Sequence, residues 1–281
     1  SSRENCYNGG TAMDVLSREE LDFFAEQGYV VARQVIDRDQ AERTGRAVWA
    51  FTGMDPDDPG TWYPEDRRGI MVEIYHHQTM WDNRTAPRVH RAFSQIWGTD
   101  KLWVSHDRAS ISPPVIDKDA TEHNLHWDAS LDKRPLSFGV QGVLYLSDTP
   151  AEQGAFICVP GFHQRLEAWL DELPEDANPR EQDLLALGTQ RIGAEAGDLV
   201  IWRTALPHTA SVNRGDAPRV AQYITMSPAG EGEEARRLRT DFWRRRLSGL
   251  GRYAEEREHR EEKTAELTSV GRKLAGVDLW D

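Results

Sequence analysis

Between residues 101 and 228 the chain breaks into short strand-like stretches, several of them closed by glycine, proline or asparagine. This pattern constrains the fold more than any other feature. The stretch 102–111 stops at Pro113-Pro114, and 123–128 and 137–147 follow. The stretch 155–159 stops at Pro160-Gly161, and 198–202, 205–213 and 219–226 complete the series. Turn signals stand at Gln153-Gly154, at Gly197 and at Asn213-Arg214-Gly215. Many short strands joined by such turns predict a sandwich or barrel. A double-sheet jelly roll is the form that also protects its strand edges.

The remainder reads as helix and loop around that core. Residues 1–16 are expected to be a flexible tail. Ser17 and Glu20 form a capping-box pattern. Leu21, Phe24 and Ala25 follow as a buried stripe, and Gly28 suits the helix end. A strand at 29–31, a helix at 37–51, a long loop at 52–69 and a helix at 85–97 are expected. The layout is one domain: helices and pocket loops over 17–100, a jelly-roll core over 101–228 and a charged C-terminal helix over 229–281. Opposite charges alternate at helical spacing through 231–268, with Phe242, Trp243, Leu247 and Leu250 as its packing stripe.

Within the core, His126-Trp127-Asp128 is the only His-x-Asp. On a strand, residues two apart share a face. His259 and Glu261 have the same spacing but fall in the charged helical run, where they point apart. His123 lies on the opposite strand face from His126. His208, in a later strand, can complete two histidines and one carboxylate. That set occupies one face of an octahedral metal and leaves positions open, as non-haem iron(II) oxygenases require.

Arg219 follows His208 by 11 residues. A guanidinium matches a carboxylate with two parallel charged hydrogen bonds. A hairpin pivoting between Arg214 and Gly215 would pair Arg219 with Ala210. The diagonal to His208 would then be about 7–8 Å, roughly the reach of a five-carbon diacid chelated at one end.

These residues carry a resemblance. The chain resembles the phytanoyl-CoA dioxygenase family of iron(II)- and 2-oxoglutarate-dependent oxygenases over about residues 15–230. The stretch from Leu16 to Val31 looks like that family's first helix and strand, and His126-Trp127-Asp128 matches its metal strand. The stretch from Gln153 to His163 is similar to its Asn-Gly…Pro-Gly-Ser-His segment. His208 and Arg219 match the distal ligand and the co-substrate anchor. The resemblance implies a double-stranded β-helix with flanking helices. It implies Fe(2+), 2-oxoglutarate and O2 as cofactor and co-substrates, giving succinate and CO2. Related halogenases carry a small residue at the carboxylate position, so Asp128 points to hydroxylation or another oxidation.

Three positions depart from the family. Ala210 stands where Ser or Thr is common, Ser112 where a Lys often precedes a Pro-Pro pair, and Phe162 where Ser is common. The co-substrate is therefore expected to use Gln141 and Ser112 beside Arg219, with Arg108 and Ser110 as further candidates. Arg108 is expected to point into the barrel. Glu73, His76 and Trp202 are candidates for substrate or co-substrate contact, and His163 is expected to be structural.

Composition bounds the partners. Hydrophobic residues make up 38% of the 281, enough for a sizeable core. A net charge of −13 disfavours nucleic acid. No apolar run approaches the roughly 18 residues of a membrane span. No basic-then-apolar leader is visible, and Cys6 and Cys158 read as free thiols, so a cytoplasmic protein acting on a small-molecule substrate is expected. The oligomeric state is not legible. Two other readings stay open: a zinc hydrolase, whose metal also accepts two histidines and a carboxylate, and a non-catalytic jelly-roll binding module.

Overall fold

The computed structural model describes residues 14–67, 69–247 and 263–281. Helix α1 (Arg18–Gln27) begins in the expected capping box. The Ser17 hydroxyl accepts from the Glu20 N–H, and the Glu20 carboxylate accepts from the Ser17 N–H. Gly28 ends it at φ 79°, a left-handed conformation that favours glycine. A β-carbon there would also sit 2.5 Å from His163 Nδ1. His163 Nε2 in turn donates to the Ala25 carbonyl at 3.1 Å. His163 therefore fastens α1 to the core.

Strand β1 (Tyr29–Ala32) and helix α2 (Arg38–Thr52, capped by Asp37) follow as expected. Among the described residues of 53–69, the one helical element is a 3-10 turn at Pro59–Thr61. Strand β2 (Met71–Val72) and helix α3 (Gln78–Arg84) were not anticipated; α4 (Pro87–Trp97) was. The remaining strands are β3 (Leu102–Val104), β4 (Ala109–Ser112), β5 (Val140–Tyr145), β6 (Phe156–Cys158), β7 (Gln190–Ile192), β8 (Leu199–Arg203), β9 (His208–Ala210), β10 (Arg219–Tyr223) and β11 (Met226–Pro228). Helix α5 (Leu166–Glu172) lies between β6 and β7; α6 (Glu233–Arg245) and α7 (Ser269–Leu274) close the described chain.

The jelly roll is present as two facing antiparallel sheets. One has the order β1-β8-β5-β10-β4-β2, and the other is β7-β6-β9. Two strands of the larger sheet thus come from before residue 101. Period-two alternation sorts its side chains. Val140, Leu144, Leu199, Ile201 and Val220 join the core under α2 and α4. Val143, Tyr145, Val200, Trp202 and Ala221 face the smaller sheet. The same alternation puts Ser110, Gln141, Arg219 and Tyr223 on this inner face, between the sheets.

Three expectations about strands are corrected. First, 102–111 is two strands in different sheets, because β3 pairs with β11. At the break the Asp107 carbonyl accepts from the Arg84 side chain, and the Ser105 N–H donates to the Thr225 carbonyl. The stretch 219–226 divides at the same place. Second, 123–128 is not a strand; His126 makes an isolated bridge with His208. Third, β9 and β10 form no hairpin. Asn213 donates to the Ser112 and Ala217 carbonyls and turns the chain across to the larger sheet.

Leu247 is buried and Trp243 packs against the core, whereas residues 248–262, Leu250 and His259 among them, lie outside the described residues. So do residues 1–13, with Cys6 and most of the expected tail. Cys158 is a free, buried thiol. Among the described residues, no helix is long and apolar enough to cross a membrane.

Candidate metal centre

His126 and Asp128 reach the pocket without strand geometry because Trp127 anchors the loop between them. The Trp127 ring is 2% exposed, and its Nε1–H donates to the Ala205 carbonyl at 3.1 Å. It packs near Phe162 and Trp169. In the bridge, His126 and His208 exchange both backbone hydrogen bonds at 3.0 Å. Arg180 donates to the carbonyls of Trp127 and Ala129, at 2.5 and 2.8 Å. With the indole turned inward, the two flanking side chains face the other way.

His126, Asp128 and His208 converge, with one ligand atom from each lying within 4.8 Å of the others. His126 Nε2 is 3.8 Å from one Asp128 oxygen, and His208 Nε2 is 3.6 Å from the other. His208 Nδ1–H donates to the Leu206 carbonyl at 2.9 Å, which leaves Nε2 as the nitrogen that faces Asp128. His208 and the Gln141 amide hold the Asp128 carboxyl well below the usual carboxylate range. Burial, with His208 alongside, pushes the His126 imidazole down. An ionised carboxylate and a neutral imidazole are the forms that ligate metal. Among the described residues no other three such side chains converge.

The pocket beside this triad measures about 310 Å³, at the low end of ligand sites, and Ala210 and Arg219 line it. Arg219 is 1% exposed. Its Nη2 donates to the Ser110 hydroxyl at 3.0 Å, and its Nε has no partner. The contact runs diagonally across the β10–β4 ladder, where Arg219 pairs with Ser112 and Ala221 with Ser110. A buried cation with one neutral partner is costly unless an anion completes it.

The other expected site residues divide. Arg108 does line the pocket; its Nη1 meets Glu73 at 2.6 Å, and Glu73 also accepts from the Tyr75 hydroxyl. Trp202 lines the pocket as well, its ring beside Phe156 and His208. Gln141 is in the wall, but its Nε2 donates to Asp128 at 2.7 Å, so its amide serves Asp128. His76 is corrected: it is 3% exposed outside the pocket, with Nε2 on the Leu247 carbonyl and Nδ1 accepting from Trp81. Ser112 is also corrected. It does not line the pocket; its carbonyl accepts from Asn213, and its hydroxyl lies close to Gly154.

Sequence reasoning missed Asp107, which lines the pocket with its carboxyl pushed up by burial. It also missed Arg180 and Glu122, which tie down the loop that carries His126 and Asp128. Trp127 carried a usable signal, since a large apolar residue between two polar ones marks the buried face of an extended segment.

Known proteins resemble this chain in sequence and in shape. The family model described as phytanoyl-CoA dioxygenase matches residues 24–221. A Dictyostelium discoideum protein carrying that family's name is 25% identical over 260 residues, covering 74% of each chain. Ava biosynthesis cluster protein O of Aspergillus versicolor is 25% identical over 236 residues, covering 74% of this chain and 76% of its own. Among solved structures, the non-heme alpha ketoglutarate dependent carbocyclase SnoK from nogalamycin biosynthesis superposes with a TM-score of 0.54. It is 21% identical, and the match covers 81% of this chain and 94% of SnoK.

Proposed function

Because the chain belongs to the phytanoyl-CoA dioxygenase family, we propose that it is an iron(II)- and 2-oxoglutarate-dependent oxygenase acting on a small metabolite. The observation that carries this reading is Arg219. It is a buried guanidinium with a free Nε, in the same pocket as a two-histidine, one-carboxylate set. A dicarboxylate chelated at one end and paired with Arg219 at the other satisfies both features. A zinc hydrolase would leave Arg219 without a role.

The donor set fits iron(II): two imidazole nitrogens and one ionised carboxylate, with the rest of the coordination sphere open to the pocket. Bound there, iron(II) supplies O2 activation coupled to decarboxylation of 2-oxoglutarate to succinate and CO2, with oxidation of the substrate. The protein's own part is positional. Arg219, held by Ser110, takes the far carboxylate. The Leu206 carbonyl and Gln141 orient His208 and Asp128. Trp202, Phe156 and Val143 keep the inner pocket dry. Arg108 and Asp107 make a polar wall for the substrate, which favours a small polar metabolite, and Glu73 pairs with Arg108 from outside the pocket.

Hydroxylation is the reaction we favour, given the carboxylate at 128. Oxidative tailoring in specialised-metabolite biosynthesis is in keeping with the names of the Aspergillus relative and of SnoK. The free Cys158 thiol is in keeping with a reducing cytoplasm. The test is aerobic incubation of the protein with iron(II), 2-oxoglutarate and candidate small polar metabolites, followed by mass spectrometry. Succinate formation and substrate gaining one oxygen are expected, both lost in His208→Ala. Undiminished succinate from His208→Ala would refute the assignment.

A further inference from the structure

Two polar atoms in the wall beside the metal ligands have no partner: Gln141 Oε1 and Trp202 Nε1. They belong to residues directly opposite each other in the β5–β8 ladder. Both side chains line the same pocket, so both project from the same sheet face. Directly opposed β-carbons in an antiparallel pair lie about 4.5–5.5 Å apart, within reach of long side chains.

The two atoms are also chemically complementary. Gln141 Nε2 donates to Asp128 Oδ2 at 2.7 Å. A carboxylate only accepts, so the amide orientation is fixed and Oε1 must be the acceptor end. Indole Nε1–H is a donor and nothing else. Both atoms are closed to solvent although their side chains border the cavity. A molecule in the pocket therefore does not reach either one unless the wall moves, and what completes them lies inside the wall. A buried donor and a buried acceptor on directly opposed residues are costly to leave unpaired, and pairing them removes that cost.

We propose that Trp202 is a positioning residue for the metal centre, acting through Gln141. Its Nε1–H donates to Gln141 Oε1, and Gln141 Nε2 donates to Asp128. The indole is itself fixed, 3% exposed, between the Phe156 ring at 4.5 Å and the His208 ring at 4.9 Å. The chain of donors therefore reaches from a rigid anchor to Asp128, which sits on a loop. Asp128 is half exposed and has no strand to hold it, unlike His208. Outer hydrogen-bond partners of metal ligands typically change metal affinity about 10- to 100-fold. A partner one bond further out acts more weakly.

This rests on His126, Asp128 and His208 binding a metal, and the test separates the two claims. Cobalt(II), which resists air oxidation, is titrated calorimetrically into the wild-type chain, Trp202→Phe, Gln141→Met and the double variant. Trp202→Phe keeps an aromatic side chain and removes the donor together with part of the ring, and the Gln141→Met background controls for the lost volume. The expected result is a loss of about three- to tenfold in cobalt(II) affinity from Trp202→Phe in the wild-type background. In the Gln141→Met background, where the acceptor is gone, its effect falls below twofold. An equal effect in both backgrounds, or none in the wild type, overturns the relay. Failure of the wild-type protein to bind cobalt(II) would instead overturn the metal site. The metal-free protein gives a second reading through its 15N-labelled indole signals. The Trp202 N–H resonance should move upfield in Gln141→Met, as a lost hydrogen bond requires. An unmoved resonance rejects the contact even if Trp202→Phe does not fold.

Discussion

Arg219 and Ser110 show how a single residue sets the character of the pocket. The serine hydroxyl is the guanidinium's hydrogen-bond partner, and both are buried. Ser110→Ala should release the guanidinium without removing its charge. A neutral hydrogen bond is worth about 0.5–1.5 kcal/mol, so 2-oxoglutarate binding should weaken about two- to tenfold. Calorimetric titration of the metal-loaded variant checks this, and unchanged binding would show that Ser110 is inert. Ala210 offers the converse. It lines the pocket with Arg219 and has no hydroxyl. Ala210→Ser should tighten 2-oxoglutarate binding several-fold in the same titration, and weaker binding would mean that the added hydroxyl only crowds the site. The convergence of His126, Asp128 and His208, with Arg219 in the same pocket, was legible in the sequence because these residue types are tied to one chemistry. His76 and Ser112 were not, because a polar side chain looks the same in a sequence whether it faces a pocket or a neighbouring carbonyl.

At the scale of elements, the loop from β4 to β5 matters most, since it carries two of the three converging side chains, His126 and Asp128, without being a strand. Glu122 fastens its early part. It accepts from Arg191 and Arg214 at 2.6 and 2.5 Å and from the Val212 N–H at 2.8 Å. Against the burial that raises it, the two arginines hold the Glu122 carboxyl below its ordinary value. A depressed folded-state value means stabilisation present in full above the unfolded value, near pH 4.3–4.5, and lost as pH falls through the folded one. Glu122→Gln should therefore lower stability by about 2 kcal/mol at pH 7. Urea denaturation should show that gap closing below about pH 4. A gap independent of pH would assign the effect to packing alone. Most of the strand series was legible because alternation and turn residues are local, whereas 123–128 is not a strand and 102–111 is two. Strand partners were not. Whether β9 folds back on β10 or crosses to the other sheet depends on Asn213 capping carbonyls at Ser112 and Ala217, which no local pattern encodes. The break at 105–108 likewise depends on Arg84, a residue on α3.

On the scale of the whole molecule, the two sheets enclose the pocket, so ligands that bridge them should stabilise the fold. Arg219 comes from the larger sheet and His208 from the smaller. A ligand at about 100 times its dissociation constant adds about 2.7 kcal/mol, or roughly 5 °C or more in the melting midpoint of a chain this size. Metal and 2-oxoglutarate together should therefore raise the midpoint by more than the sum of their separate shifts, as differential scanning calorimetry can read. Additive shifts would mean separate sites. The most direct measurement is an anaerobic calorimetric titration of 2-oxoglutarate into the iron(II)-loaded protein, the metal-free protein and metal-loaded Arg219→Ala. Saturable binding that needs the metal and weakens at least about tenfold without the guanidinium is the expected result. Binding that ignores the metal, or an Arg219→Ala isotherm that overlays the wild type, would contradict a site in which iron and Arg219 hold the two ends of one dicarboxylate.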